Sequence, residues 1–148
     1  MYKEFNELIN QYNTRDEEKT MDWYEYQYKF CNQILNKFSD EDWKLLIKDL
    51  PEKSNIVKER LAECLRNPDN IYHNIIIREL LKIDDINLFT QVLCVLIPCD
   101  YNFSFNIVND ILKRIETYMP VANEFQKIRF NLYIEKLKNQ FGISKNTK

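Results

Sequence analysis

The stretch "DWYEYQYKF", Asp22 to Phe30, alternates aromatic and polar residues: Tyr24, Tyr26, Tyr28 and Phe30 share one parity, with Glu25, Gln27 and Lys29 between them. Read alone, this is the pattern of a half-buried β-strand with an aromatic face. The continuation "CNQILNKFSD" breaks it, because Cys31, Ile34, Leu35 and Phe38 fall on mixed parities. At about 100° per residue the same segment resolves into two faces. Glu25, Lys29, Asn32 and Asn36 make a polar stripe, and Glu25 and Lys29 are spaced as a favourable i, i+4 ion pair. Trp23, Tyr26, Phe30, Ile34 and Phe38 make the opposite face, widened by Tyr24, Tyr28, Cys31 and Leu35. The pattern predicts a helix from about Met21 to Phe38, with Trp23, Tyr26 and Phe30 in the core. Tyr24 and Tyr28, at the edge of the apolar arc, either meet a second helix or face water.

Composition extends this reading to the whole chain. A length of 148 residues suits one domain with its own core. There is a single glycine, whereas sheet proteins spend glycine on hairpins and bulges. Helices joined by Asn, Asp and Pro turns need almost none, so the expected class is all-α. No apolar run approaches the roughly eighteen residues of a membrane span. The opening "MYKEFNELINQY" is amphipathic and acidic, without the apolar core of a signal peptide. A cytoplasmic protein is expected, its four cysteines (Cys31, Cys64, Cys94, Cys99) reduced and set in apolar helical runs.

The middle of the chain repeats. "LLIKDL", "IIIRELL" and "IVNDIL" align at a constant step of 31 residues, matching Leu45 with Ile76 and Ile107, Leu46 with Ile77 and Val108, and Leu50 with Leu81 and Leu112. The following helices keep the register in two units: Ser54 and Asp85 stand as N-caps, followed by the pairs Val57/Leu88, Leu61/Val92 and Leu65/Leu96. Pro51, Pro68 and Pro98 fall at the breaks. The pattern predicts antiparallel helical hairpins stacked as a short HEAT-like α-solenoid. Residues 1–38 would form N-terminal capping helices, 39–119 the repeats, 120–141 a long helix opened by Pro120, and 142–148 a frayed tail.

Chemistry is sparse. The one histidine, His73, lies in "DNIYHNIII" with no acid or nucleophile paired to it in sequence, and reads as a satisfied helix-start residue. The acidic groups Asp40-Glu41-Asp42, Asp69 and Asp84-Asp85 precede helical runs, where they suit caps and the helix dipole. Cys94 and Cys99 are too widely spaced for a zinc knuckle and lack a second pair. With almost no glycine there is no phosphate loop. No catalytic residue, cofactor or metal is expected. Charge is unevenly spread: the first hundred residues carry 13 Lys/Arg against 19 Asp/Glu, and the last forty-eight carry 8 against 4. The larger, acidic part suits a basic protein better than a nucleic-acid backbone.

The segment "SDEDWKLLIKDLPEKSNIVKERLAECLRNPDNIYHNIIIRELLKIDDINLFTQVLCVL", and "KSNIVKERLAECL" within it most of all, resembles the HEAT-like immunity proteins of bacterial contact-dependent inhibition and polymorphic-toxin systems. The likeness covers Ser39 to Leu96 and is one of packing positions. It implies a non-catalytic protein that binds and neutralises one cognate toxin domain, commonly a nuclease, in the cytoplasm of the producing cell. It transfers no binding residue. A HEAT-type adaptor in another bacterial assembly fits the same features; an enzyme fits them least.

Two sets of residues are the sequence's choice for the interface of a protein that is monomeric when free. Tyr24 and Tyr28, with Asp22 and Glu25, combine large rings with surrounding charge, the composition of binding hot spots. Glu59 and Glu63, at i, i+4 on "KERLAEC", are expected on an exposed stripe of the second helices, with Asp69, Asp84 and Asp85 along one rim.

Overall fold

A computed structural model describes residues 1–142, whose regular elements are all helices, with no strand. The tail called frayed, from residue 143 onward, lies outside the described residues. The helices are α1 (Tyr2–Asn10), α2 (Glu17–Asp22), α3 (Tyr28–Leu35), α4 (Asp40–Asp49), α5 (Asn55–Glu63), α6 (Ile71–Leu81), α7 (Ile86–Leu96), α8 (Phe105–Tyr118) and α9 (Glu124–Gln140). A single π-helical turn, Trp23–Gln27, joins α2 to α3. The protein is therefore all-α.

Local chemistry sets the boundaries. Ser39 caps α4 through the amide of Asp42, whose carboxylate returns to the Ser39 amide, a reciprocal box. Ser54 and Asp85 cap α5 and α7 by accepting from Val57 and Leu88, as their place in the repeat predicts. Asn70, not Asp69, caps α6. Pro120 does not open the last helix. It sits in a 3-10 turn, Met119–Val121, and α9 begins only at Glu124, where Asn123 and Gln126 form a second reciprocal box. The only glycine, Gly142, follows α9 at φ 66°, the left-handed conformation that ends helices at least cost.

Hydrogen bonds between elements define the topology. Asn55 at the start of α5 donates to Asp85 at the start of α7 (3.1 Å), and Gln126 at the start of α9 donates to Asn87 of α7 (3.1 Å). At the other ends, Lys136 of α9 donates to the carbonyls of Leu96 and Cys99 beyond α7. Helices α5, α7 and α9 thus run parallel in one row. Trp43 of α4 stacks on Tyr72 of α6 (centroids 5.4 Å apart), and Arg114 of α8 reaches the carbonyls of Lys82 and Ile83 at the end of α6. Helices α4, α6 and α8 form a second, opposed row. This is compatible with a stack of helical hairpins.

The core lies between the rows. Val57, Leu61, Leu65, Leu88, Val92 and Leu96, the residues paired by the repeat, are all sealed from water. Each contributes about 1.5–3 kcal/mol through burial. The first-helix alignment is looser: Leu46, Ile76 and Ile77 are buried, but Leu45 is exposed at the edge, and α8 buries Ile111 and Ile115 instead of the aligned Ile107 and Val108. At the N-terminal end α1 buries Tyr2, Phe5 and Ile9, and Phe38 packs edge-on against Phe5 and Trp43. Among the described residues, no helix is long and apolar enough to cross a membrane.

Candidate partner-binding site

The π turn decides which aromatic rings meet water. The Tyr28 amide donates to the Trp23 carbonyl, five residues back instead of four, so the turn holds one residue more than an α-turn. Trp23 and Cys31, eight apart, both end up sealed. With the extra residue discounted they stand seven apart, two full turns on one face. Tyr26 and Phe30 rotate outward by the same step. They are 65% and 51% exposed, which corrects the expectation that they join Trp23 in the core. Phe30 borders a shallow depression of about 260 Å³ between α1 and α3, floored by Leu8 and Ile34 and rimmed by Glu4, Gln33 and Lys37.

Tyr28 takes the opposite course. It is half-buried against the core, and its carbonyl lies 3.8 Å from the Cys64 sulfur. That packing counts against it as an interface anchor. Glu25 is exposed beside Tyr26, as expected.

Helix α5 overturns the other expectation. Glu59 and Glu63 are 8% and 9% exposed and do not form an open acidic stripe. The helix lies inside, against α1, α6 and α7, so its polar residues are covered as well as its apolar ones. Arg15 covers Glu59 with two hydrogen bonds of 2.6 and 3.2 Å, and Arg66 covers Glu63 at 2.8 Å. Arg60, also buried, donates to the carbonyls of Tyr12 and Thr14 and to the Thr20 hydroxyl, tying the segment before α2 onto α5. Its guanidinium lies 5.7 Å from the Tyr24 ring centroid. Nearby, the Tyr12 hydroxyl donates to Asp22 at 2.5 Å.

The fold therefore brings Asp22, Tyr24, Glu59, Glu63 and Asp85 together, around Arg15 and Arg60. Burial, then the neighbouring Glu63, raise the Tyr24 hydroxyl pKa, and Arg60 opposes them. The hydrogen bonds that Arg15 donates to Glu59 raise the Arg15 pKa, to which Asp85 adds. Here Glu59 and Glu63 are paired with Arg15 and Arg66, while Asp22 and Asp85 accept hydrogen bonds from Tyr12 and from Asn55 and the Leu88 amide. Asp69 and the pair Asp84–Asp85 do not share a rim, because they lie before and after α6, at its opposite ends. Asp69 is exposed, and Asp84 accepts from the Tyr118 hydroxyl at 2.6 Å.

Sequence reasoning missed Tyr26, Phe30, Arg15 and Arg60. Nothing in the pattern marks a π turn, since a regular helix through the same letters is equally amphipathic. Arg15 and Arg60 lie 45 positions apart, and only the fold joins them.

His73 is buried, its Nδ1 accepts from the Asn67 amide at 3.2 Å, and burial pushes its pKa down to about 4. All four thiols are free; burial pushes Cys31 up to about 12, Cys64 well above its ordinary value and Cys94 upward, so these three stay protonated and unreactive at neutral pH. Among the described residues, no three His, Cys, Asp or Glu side chains converge as metal ligands would. No family model, curated protein or solved structure matches the chain.

Proposed function

We propose that the protein is a cytoplasmic immunity protein, which binds a single cognate toxin domain and neutralises it by covering its substrate groove, without chemistry of its own. The observation that carries this reading is the pair Tyr26 and Phe30, both left in water, with Phe30 bordering the depression between α1 and α3. Two exposed large rings of low conformational entropy, one of them beside an apolar hollow, have the composition of an interface hot spot. Exposed carboxylates lie in the same N-terminal part of the chain: Glu4, which borders the depression with Phe30, and Glu7, Glu17, Glu18 and Glu25. Such a surface suits a basic partner, including a nuclease domain whose own groove is built for phosphates. The buried, neutral His73 and the protonated thiols favour binding over catalysis. The free protein is a monomer in this reading, its rings reserved for the toxin.

The test is growth protection on co-expression with the toxin encoded beside its gene. The wild type should rescue growth. Tyr26→Ala/Phe30→Ala should lose protection and weaken toxin binding by about a hundredfold, two truncated anchors at ~1–2 kcal/mol each. Because both rings are exposed, the melting temperature should hold. Full protection by the double variant would sink the assignment of this surface.

A further inference from the structure

A second surface differs from the first in place and in charge. Helices α6 and α8 leave a groove of about 800 Å³ between them, the volume of a well-formed binding cleft. Ile75 and Leu81 from α6 and Ile107 and Ile111 from α8 give it an apolar lining. Its charged residues are Arg78, Lys82, Lys113 and Arg114 against Glu79 and Asp110, a positive excess on a chain whose net charge is −2. The excess is not used up internally. Lys82 pairs with Glu79 at 2.8 Å, and Arg114 is spent on the α6 carbonyls. Arg78 and Lys113 are exposed, one on each helix, and neither side chain makes an ion pair or hydrogen bond among the described residues.

Shape and charge together select the occupant. The lining spans residues 75–82 on one side and 107–114 on the other, two turns of helix on each, or about 12 Å. A phosphate backbone would satisfy the cations but leave the partly exposed Ile75 and Ile107 facing water. A basic segment would be repelled. We propose that this groove docks an acidic amphipathic helix of a partner protein, its apolar residues at i, i+3/i+4 and i+7 on the isoleucines and its carboxylates beside Arg78 and Lys113. The groove shares no residue with the Tyr26–Phe30 surface, so its occupant is a second segment, and the two can be tested apart.

The probe is a fluorescein-labelled peptide of leucine and glutamate, about four helical turns long, with leucines at helical spacing, beside a twin carrying lysine for glutamate. Fluorescence anisotropy should show saturable binding of the acidic peptide only. In nitrogen-15 correlation spectra the amides of α6 and α8 should shift while those of Tyr26 and Phe30 stay. Arg78→Glu/Lys113→Glu should weaken binding by about tenfold or more, and the milder Arg78→Gln/Lys113→Gln should weaken it less. Circular dichroism of both variants should match the wild type, since both side chains are exposed. The proposal is overturned by equal binding of the lysine twin or by no saturation with the acidic peptide. Binding indifferent to both substitutions, or shifts away from α6 and α8, overturns it equally. So does capture of a single-stranded oligonucleotide or a dansyl fatty acid in the groove when the peptide does not bind.

Discussion

Arg15 and Glu59 make an unequal pair. The Glu59 side chain is nearly sealed, whereas about half of the Arg15 side chain remains in water. Removing the arginine strands a carboxylate with little solvent. Removing the carboxylate lets the arginine turn outward and hydrate. Arg15→Ala should therefore cost about 1–3 kcal/mol, and Glu59→Gln, which keeps the volume and removes the charge, should cost less. Urea denaturation of the two variants decides the order, and the reverse ranking would mean that Arg15 contributes only surface screening. His73 gives a pH-dependent counterpart. Its folded pKa, about 4, lies below its ordinary 6.5, so the unfolded chain takes up the proton first. The stabilising effect is complete above pH 6.5, falls as pH drops toward 4, and then levels. At about 1.4 kcal/mol per pH unit the loss amounts to about 3 kcal/mol. His73→Asn places an oxygen near the position of Nδ1 and cannot protonate in this range, so it should flatten that part of the stability profile. A variant as steep as the wild type between pH 6.5 and 4 would move the dependence to other groups.

Among the elements, the segment from α2 to α3 carries both the success and the failure of reading by pattern. The helix was legible because Cys31, Ile34 and Leu35 break the alternation of Asp22–Phe30 and share one face only at a period near 3.6. Its outward face was not, because one inserted residue rotates everything after it by about 100° without leaving a mark in composition. Ser54, Asp85 and the paired leucines of α5 and α7 were legible, since capping and burial act locally on short spans. Burial of Glu59 and Glu63 was not, because i, i+4 acids on a helix read as solvated unless the elements packed over them are known. The π turn yields a direct prediction. Deleting Glu25 removes the extra residue and leaves Trp23 and Cys31 seven apart on a regular α-helix, so the fold should survive with a melting temperature within a few degrees. Deleting Asn32 from regular α3 should instead swing Ile34 and Leu35 out of the core, at about 2–5 kcal/mol for each buried side chain lost. Thermal unfolding followed by circular dichroism separates the two deletions. Equal damage from both would show that the outward set of Tyr26 and Phe30 has another cause.

For the molecule as a whole, the distribution of charge bears on how quickly a partner arrives. The acidic first hundred residues stay acidic at the surface even though Glu59, Glu63 and Asp85 are occupied internally, because Glu4, Glu7, Glu17, Glu18 and Glu25 are exposed. If the toxin is basic, these carboxylates steer the encounter, while Tyr26 and Phe30, dry once bound, set the departure. Exposed charges are screened beyond about 8–10 Å near physiological ionic strength. Association measured by stopped flow should therefore slow by about tenfold or more between low and physiological salt, while dissociation changes little. The basic C-terminal end makes the sharper test. Truncation after Gly142 removes Lys145 and Lys148 and takes the net charge from −2 to −4. A basic toxin should then associate at least as fast as before, and growth protection should persist. Lost protection with intact folding would place the contact at the basic end, and covering of a phosphate-binding groove by an acidic surface would have to be abandoned as the mechanism.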